Sequence, residues 1–154
     1  MQEREWMVAS QILNEVVSWL EAQGTPLWEN EQVSVEGLKN NYQLNELYFL
    51  KESSEIFGLV FMQETDPFFW PEIDSEDTLF VHKLCLRRGI KGRGFGANAL
   101  NLIKSHAKAL GKRWIRLDCD DRQPLHKFYT SNGFKLVDFK KIGKYNVARY
   151  QANC

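Results

Sequence analysis

The chain has 154 residues, a length at which one domain can bury a hydrophobic core, and we expect a single domain over residues 1–154. Hydrophobic residues make up 44% and charged residues 26%, as in globular proteins, and the 20 basic and 20 acidic side chains cancel. Because the charges cancel, we expect no nucleic-acid partner and no membrane partner. The sequence contains no run of about 18 apolar residues, so no transmembrane helix is predicted.

The three cysteines, Cys85, Cys119 and Cys154, are an odd number and lack CxxC spacing. They predict neither a disulfide framework nor a metal site, and they favour a reducing, cytoplasmic compartment. The first residues carry acidic side chains and lead into an amphipathic segment, which is not the pattern of a secretory signal peptide.

The first half of the chain predicts two helices and three strands. A helix over residues 6–23 carries one apolar face formed by Ala9, Ile12, Leu13, Val16, Val17 and Leu20. Gly24 suits the left-handed cap that ends this helix, and Ser34 suits the N-cap of a short helix over residues 34–43. Strands are predicted over 47–50, 56–62 and 79–86, with a hairpin turn at 52–55 and an aromatic, proline-flanked loop at 66–71.

The second half alternates helices and strands. The predicted elements are a helix over 95–110, a strand over 114–119, a short helix from Pro124 to Asn132-Gly133, and strands over 134–137 and 147–150 around a turn at Gly143. The longer helix buries Phe95, Ala99, Ile103, Ala107 and Leu110. In the strand over 114–119, Ile115, Leu117 and Cys119 alternate with Trp114, Arg116 and Asp118.

This order predicts the fold class. A strand, a helix and a strand between residues 79 and 119 make a right-handed parallel crossover, and the other strands can pair antiparallel. We predict an α/β (α+β) fold with a mixed sheet.

Glycines alternate with other residues where the strand over 79–86 gives way to the next helix. Gly92, Gly94 and Gly96 free the backbone from Cβ clashes, so that consecutive N–H groups and the start of the helix can surround a pyrophosphate. Lys91 and Arg93 add positive charge. The run is not a P-loop, because no Gly-Lys-Ser/Thr follows, and it lacks the GxGxxG spacing of a dinucleotide site.

Two motifs resemble one known family. The run Lys91-Gly92-Arg93-Gly94-Phe95-Gly96-Ala97-Asn98-Ala99-Leu100 resembles the acetyl-CoA pyrophosphate motif of the GNAT superfamily, with Lys91 where Arg or Gln is more common. The segment from Leu125 to Phe134, which contains Tyr129, resembles the second motif of that family. Both occur in the family's order, and the resemblance to one bacterial subgroup extends along nearly the full length. The chain is therefore identified as a member of the GNAT superfamily.

The resemblance implies a GNAT fold. Its mixed sheet has about six to seven strands, with a splayed parallel pair, and about four helices flank it. It also implies an N-acetyltransferase that moves the acetyl group of acetyl-CoA, a co-substrate, to a primary amine of a small molecule or peptide by direct attack, without a metal. The implied cofactor-binding residues are Leu84, Cys85, Leu86, Lys91, Gly92, Arg93, Gly94, Phe95, Gly96 and Ala97. Arg122 stands where many relatives carry an asparagine that contacts pantetheine, and it could instead reach a phosphate.

Tyr129 matches the family's general acid, which protonates the leaving thiolate; the alternative is that its ring only packs against Phe128 and Phe134. The base stays open. Its candidates are Glu72, Asp74, Glu76, Asp77 and His82, and each has an alternative interpretation as a solvated or structural group. Cys85 and Cys119 are expected to pack rather than react.

The acceptor is not defined by the sequence. Trp28, Phe69, Trp70 and His82 could line its pocket, and the alternative is that the aromatic rings cap the core. The residues leave a homodimer open. Two other functions remain as alternatives: a catalytically silent acyl-CoA-binding or sensor module on the same fold, and a nucleotide-binding protein of another class.

Overall fold

The computed structural model describes residues 2–73, 75–87 and 94–154. These residues fall into two compact units. One unit takes the chain up to Phe61 and the segment Lys83–Phe95, and the other takes Met62–His82 and Gly96–Cys154. Two strands of the sheet each contribute residues to both units.

The central sheet has six strands in the described residues. They are β1 (Leu47–Glu52), β2 (Glu55–Gln63), β3 (Thr78–Leu86), β4 (Trp114–Asp120), β5 (Lys135–Ile142) and β6 (Tyr145–Asn153). The strand order is β1-β2-β3-β4-β6-β5. β3 and β4 pair in parallel, whereas β1–β2, β4–β6 and β5–β6 pair antiparallel. This arrangement confirms the predicted mixed sheet with a parallel crossover.

Five α-helices occur in the part of the chain that the structure describes. They are α1 (Gln2–Ala22), α2 (Asn30–Val33), α3 (Val35–Asn41), α4 (Phe95–Ala109) and α5 (Gln123–Ser131). The prediction of about four helices missed α2, which is a single turn. Ser34 separates α2 from α3 and caps the second of them, because its Oγ accepts the N–H of Gly37 at 3.0 Å, as predicted.

In the first unit, α1 supplies one side of the core. Its predicted apolar face is confirmed, since Ala9, Ile12, Leu13, Val16 and Val17 are buried with Val33, Leu38, Leu59 and Phe61. The ring of Phe61 stacks on Tyr42 at a centroid distance of 4.1 Å. This burial, rather than helix propensity alone, stabilises α1.

In the second unit, α4 buries Ala99, Leu100, Ile103 and Ala107, as the helical periodicity predicted. Leu110 was expected on the same face, but it is 50% exposed because the helix ends at Ala109 and the chain turns at Gly111, whose φ is +79°. Arg116 alternates with Ile115 and Leu117 along the regular strand β4, as predicted, and it is buried like them; its guanidinium lies 5.9 and 4.9 Å from the ring centroids of Trp70 and Trp114.

Candidate active site

β3 and β4 pair over only part of their length. In the described residues, the last pair of their parallel ladder joins Val81 to Leu117. Both strands nevertheless continue, β3 to Leu86 and β4 to Asp120. Backbone N–H and C=O groups beyond the end of a ladder need other partners, which a ligand can supply as an added strand does.

The second half of β3 has a bulge-like backbone. Lys83 has a φ of +51°, which interrupts the regular alternation of side chains along the strand. The prediction that His82 lies on the same face as Leu84 and Leu86 assumed regular alternation, which does not hold at Lys83.

The predicted pantetheine strand lies against β2. Of the three residues, Cys85 is buried, and Leu84 and Leu86 are half-buried. A Cβ on Gly58 of β2 would lie 2.4 Å from the carbonyl oxygen of Cys85, so a glycine is required there. This side of the strand is covered by protein.

The glycine-rich turn is described only in part. Lys91, Gly92 and Arg93 lie outside the described residues, so their predicted phosphate contacts stay predictions. Gly94 has a φ of +75°, a left-handed conformation that favours glycine. Phe95 begins α4, and its ring packs on Phe57 at a centroid distance of 4.9 Å.

The next two residues form the first turn of α4. A Cβ on Gly96 would lie 2.6 Å from Cε1 of Phe128, so this glycine lets α4 and α5 approach closely. Ala97 is exposed. Gly96 thus has a packing role that the phosphate interpretation did not foresee, and its predicted pyrophosphate contact, like that of Ala97, stays a prediction.

Tyr129, the predicted general acid, lies on α5 and is 7% exposed. Its ring contacts Phe128, Phe134 and Tyr150 at centroid distances of 5.0, 5.5 and 5.7 Å. Burial, followed by the nearby Cys119 and Asp118, raises the pKa of its hydroxyl well above the usual value. The hydroxyl is therefore held protonated, which suits a proton donor and equally suits a packing residue.

A polar chain beside Tyr129 was not foreseen from the sequence. His126 Nδ1 lies 2.5 Å from the hydroxyl of Tyr150, and Nε2 lies 2.7 Å from Oδ1 of Asp121. Tyr150 is 1% exposed, and burial raises the pKa of its hydroxyl. Asp121 and His126 are close in the sequence, so their contact could have been predicted. Tyr150 belongs to β6, and only the fold brings it next to His126.

Arg122 is the N-cap residue of α5. Its Nε donates to Oδ2 of Asp120 at 2.5 Å. The phosphate contact predicted for Arg122 stays a prediction. A phosphate bound by Arg122 would either share the guanidinium with Asp120 or replace Asp120.

Two of the predicted pocket residues are partly accessible. In the first unit, Trp28 is half-buried, and the Lys83 ammonium lies 5.8 Å from its ring centroid. In the second unit, Phe69 is half-buried and packs edge-on against Phe68 and Tyr145. Both stay predictions as acceptor contacts.

Trp70 is a core residue rather than a pocket wall. It is 2% exposed, and the Arg149 and Arg116 guanidinium groups lie 4.3 and 5.9 Å from its ring centroid. Such stacking encloses the ring between cations of the second unit. The burial of Trp70 agrees with the alternative interpretation, in which the ring caps the core.

Arg149 is a buried arginine with several hydrogen bonds, and the sequence analysis did not identify it. It is 2% exposed and donates to the carboxylates of Asp138 and Glu72 at 2.7–3.0 Å, and to the carbonyl of Phe69 at 3.0 Å. The hydrogen bonds from Arg149 lower the pKa of Glu72 to about 2. Glu72 is therefore a poor candidate for the base. Asp74, another candidate, lies outside the described residues.

His82 lies where the β3–β4 ladder ends and belongs to a group of three titratable side chains. Its Nε2 is 3.5 Å from Oδ2 of Asp66, and His82, Asp66 and Asp118 each offer one possible ligand atom within 4.8 Å of the other two. Such a group could bind a metal ion by composition. His82 Nε2 faces Asp66 as in an imidazole–carboxylate pair. The prediction of no metal stays a prediction.

The cysteine thiols are poor nucleophiles in this structure. Burial raises the pKa of Cys85 to about 12, and burial with three nearby aspartates raises the pKa of Cys119 to about 12. A thiol with so high a pKa is not a thiolate at neutral pH, which agrees with the expectation that both residues pack.

A six-stranded mixed sheet in which β3 and β4 are parallel and α4 connects them is the fold of an acetyltransferase family, and the comparisons agree. The sequence model of the Acetyltransferase (GNAT) family matches residues 9–134. The chain belongs to this family. It is 24% identical over 133 residues to the uncharacterized N-acetyltransferase YesJ of Bacillus subtilis. The alignment covers 82% of this chain and 74% of that protein.

Solved structures show the same fold. A GNAT-family acetyltransferase from Listeria monocytogenes matches with a TM-score of 0.76 and 17% identity, over 98% of this chain and 90% of the other. The aminoglycoside acetyltransferase AAC(6')-Ib in complex with coenzyme A and kanamycin matches with a TM-score of 0.73 and 14% identity, over 99% of this chain and 91% of the other. Among the described residues, no helix combines the length and the apolar character that crossing a bilayer demands.

Proposed function

We propose that this protein is an N-acetyltransferase that uses acetyl-CoA as co-substrate and acetylates a primary amine of a small molecule or a peptide. The observation that supports this most strongly is the short β3–β4 ladder, whose last pair is Val81 with Leu117 although both strands continue. In an acyltransferase of this family, such a gap receives the pantetheine arm of the donor.

The donor site is assembled from β3 and the turn that follows it. Backbone groups of Leu84, Cys85 and Leu86 would hydrogen-bond the pantetheine amides in the manner of an added strand. The pyrophosphate would lie against the turn from Lys91 to Ala97, where backbone N–H groups and the positive end of α4 favour an anion. The left-handed Gly94 and the close packing of Gly96 support this path of the backbone.

The reaction is direct acyl transfer. The neutral amine attacks the thioester carbonyl, the nitrogen–carbon bond forms, and the carbon–sulfur bond breaks with its electron pair leaving on sulfur. Tyr129 is proposed to donate a proton to that thiolate, on the resemblance of its segment to the second family motif; burial raises the pKa of its hydroxyl and makes it a weaker acid, so the donor must come close to the ring for the transfer to occur. No covalent enzyme intermediate is required, and the high thiol pKa values of Cys85 and Cys119 fit such a mechanism.

The acceptor is proposed only as an amine. The kanamycin of AAC(6')-Ib belongs to a protein that shares 14% of its residues with this chain, so its substrate is not carried over. Phe69, a half-buried aromatic residue of the second unit, is proposed to contact the acceptor, and the acceptor contact predicted for Trp28 stays a prediction. A cytoplasmic location remains a prediction, and the oligomeric state stays open.

Two measurements test this function. Titration calorimetry with acetyl-CoA and with ATP establishes the donor, and we expect binding of acetyl-CoA alone. Release of free thiol from acetyl-CoA is then followed in the presence of aminoglycosides, polyamines, amino acids and peptides. We expect at least one amine to accelerate thiol release, and binding of ATP in place of acetyl-CoA would overturn the proposal.

A further inference from the structure

Tyr150 of β6 contacts two residues that belong to one turn of α5. His126 and Tyr129 are three residues apart on this helix, so their side chains leave the same face of it. The hydroxyl of Tyr150 lies 2.5 Å from Nδ1 of His126, and the ring centroid of Tyr150 lies 5.7 Å from that of Tyr129. One tyrosine therefore packs on the proposed general acid and hydrogen-bonds the residue one turn before it.

The hydrogen bond of Tyr150 continues to the protein surface. Nε2 of His126 lies 2.7 Å from Oδ1 of Asp121, and the side chains of His126 and Asp121 are 17% and 61% exposed. The ring of Phe139 packs edge-on against the imidazole at a centroid distance of 5.8 Å. A buried hydroxyl, a largely covered imidazole and an exposed carboxylate thus follow one another, and we call them the Asp121–His126–Tyr150 chain.

The carboxylate of Asp121 sets the direction of both hydrogen bonds. An ionised carboxylate only accepts, so the neutral imidazole of His126 carries its proton on Nε2 and donates it to Asp121. Nδ1 then keeps a lone pair, and the hydroxyl of Tyr150 donates to it. Because Tyr150 is 1% exposed, its hydroxyl needs such a partner inside the protein. The chain therefore fixes the position of the Tyr150 ring.

The helix that carries Tyr129 depends on contacts of this kind. α5 has nine residues, and a helix of this length is marginal without tertiary contacts. Tyr150 contacts it at two points, with its hydroxyl at His126 and with its ring at Tyr129. Two contacts on one face restrict the rotation of α5 about its axis, on which the position of the Tyr129 hydroxyl depends. All of these residues belong to the second unit, so their distances are set within one compact body.

The hydroxyl of Tyr129 requires accurate placement if it is to act as an acid. Burial raises the pKa of this hydroxyl well above its usual value, so the proton is given up reluctantly. Transfer to a thiolate then needs a short and well-aligned approach. A displacement of about 1 Å in a reacting group can lower a rate by about 10²-fold.

We propose that the Asp121–His126–Tyr150 chain positions Tyr129 for proton transfer to the leaving thiolate. Tyr150 is the positioning residue that touches Tyr129, and His126 and Asp121 act through Tyr150. This inference rests on the proposed function, in which Tyr129 is the acid. It assigns no chemical step to the three residues of the chain.

The test is a double-mutant cycle of Tyr150→Phe with Tyr129→Phe, measured as kcat for thiol release. Tyr150→Phe keeps the ring and removes the hydroxyl, and we expect kcat to fall about tenfold with unchanged acetyl-CoA affinity. Tyr129→Phe removes the group that is positioned, so Tyr150→Phe should cause no further loss in that background. Tyr48→Phe, the same deletion on β1, should keep the wild-type kcat.

Asp121→Asn applies the same test without altering a buried group. Its side chain is exposed, so we expect an unchanged melting temperature. Loss of the charge weakens the hold on His126, and kcat should fall about threefold, again only when the Tyr129 hydroxyl is present. A merely structural contact would lower kcat by the same factor in both backgrounds. If Tyr150→Phe does not fold, the cycle of Asp121→Asn with Tyr129→Phe decides.

Nitrogen NMR of His126 tests the chain without an acceptor. At a pH at which the ring is neutral, the wild type should show the tautomer with its proton on Nε2. The Nδ1 resonance should shift in Tyr150→Phe, because that variant lacks the hydroxyl that donates to Nδ1. A proton on Nδ1 in the wild type, or an unchanged Nδ1 resonance in Tyr150→Phe, would overturn the chain.

The kinetic outcomes separate this inference from the proposed function. If the wild type acetylates an amine and Tyr150→Phe keeps its kcat, the positioning inference is wrong and the proposed function stands. If Tyr150→Phe lowers kcat equally with and without the Tyr129 hydroxyl, the chain acts independently of Tyr129, and the inference is again wrong. If the wild type acetylates no amine, the proposed function fails, and this inference fails with it.

Discussion

Replacing Arg149 with Met tests the ion pairs that join Glu72 to strands β5 and β6. Removing one partner of a buried ion pair costs about 3–5 kcal/mol of unfolding free energy. The carboxylates of Glu72 and Asp138 keep 47% and 43% of their exposure, so they regain water when Arg149 is lost. We therefore expect a loss near the lower end, about 3 kcal/mol, which lowers the melting temperature by about 6–12 °C.

The same variant should change how stability depends on pH. The pKa of Glu72 is about 2, below its ordinary 4.5, and the pKa of Asp138 is also lowered, in both cases mainly by hydrogen bonds from Arg149. Depressed pKa values contribute stability that is present above the ordinary values and is lost as pH falls through the folded ones. The wild type should therefore lose stability from about pH 5 down to about pH 2, and Arg149→Met should lose less.

Urea unfolding, followed by circular dichroism near neutral pH and near about pH 3, measures both effects. Arg113→Met is the matched control, because Arg113 is exposed, and it should change stability by no more than about 0.5 kcal/mol. Equal stability of the two variants, or an unchanged pH dependence in Arg149→Met, would refute the reasoning.

Three further predictions concern the donor site. Tyr129→Phe keeps the buried ring and removes the hydroxyl, so kcat should fall about 10²-fold with little change in acetyl-CoA affinity; unchanged turnover would exclude Tyr129 as the acid. Gly94→Leu forces a bulky residue into a φ of +75° and should abolish acetyl-CoA binding in calorimetry, whereas tight binding would contradict the pyrophosphate turn. Cys119→Ala should retain wild-type kcat in the thiol-release assay, and a large loss would point to a covalent acetyl-cysteine.

Local patterns in the sequence predicted most of the fold. The apolar periodicity of α1 and α4 survives in the structure, because each helix buries that face. The predicted turn glycines Gly111, Gly133 and Gly143 all have positive φ values. Such features depend only on neighbouring residues, which is why a single sequence is enough to predict them.

Features that depend on distant residues were missed. β5 extends to Ile142, well beyond the predicted strand at 134–137, because lysines on an edge strand hide its pattern. Arg149 follows two apolar residues in β6, and nothing local indicates that Glu72 pairs with it. The partnership of His82 with Asp66 likewise requires the loop after β2 to fold back on β3.

Direct detection of an acetylated amine tests the proposed activity most simply. The wild-type protein is incubated with acetyl-CoA carrying an isotopically labelled acetyl group and with a panel of cationic primary amines, and the products are analysed by mass spectrometry. We predict that the label moves to the nitrogen of at least one amine while free CoA accumulates in equal amount. Tight binding of acetyl-CoA with the label left on the thioester for every amine would contradict the proposal and favour a silent acyl-CoA-binding module.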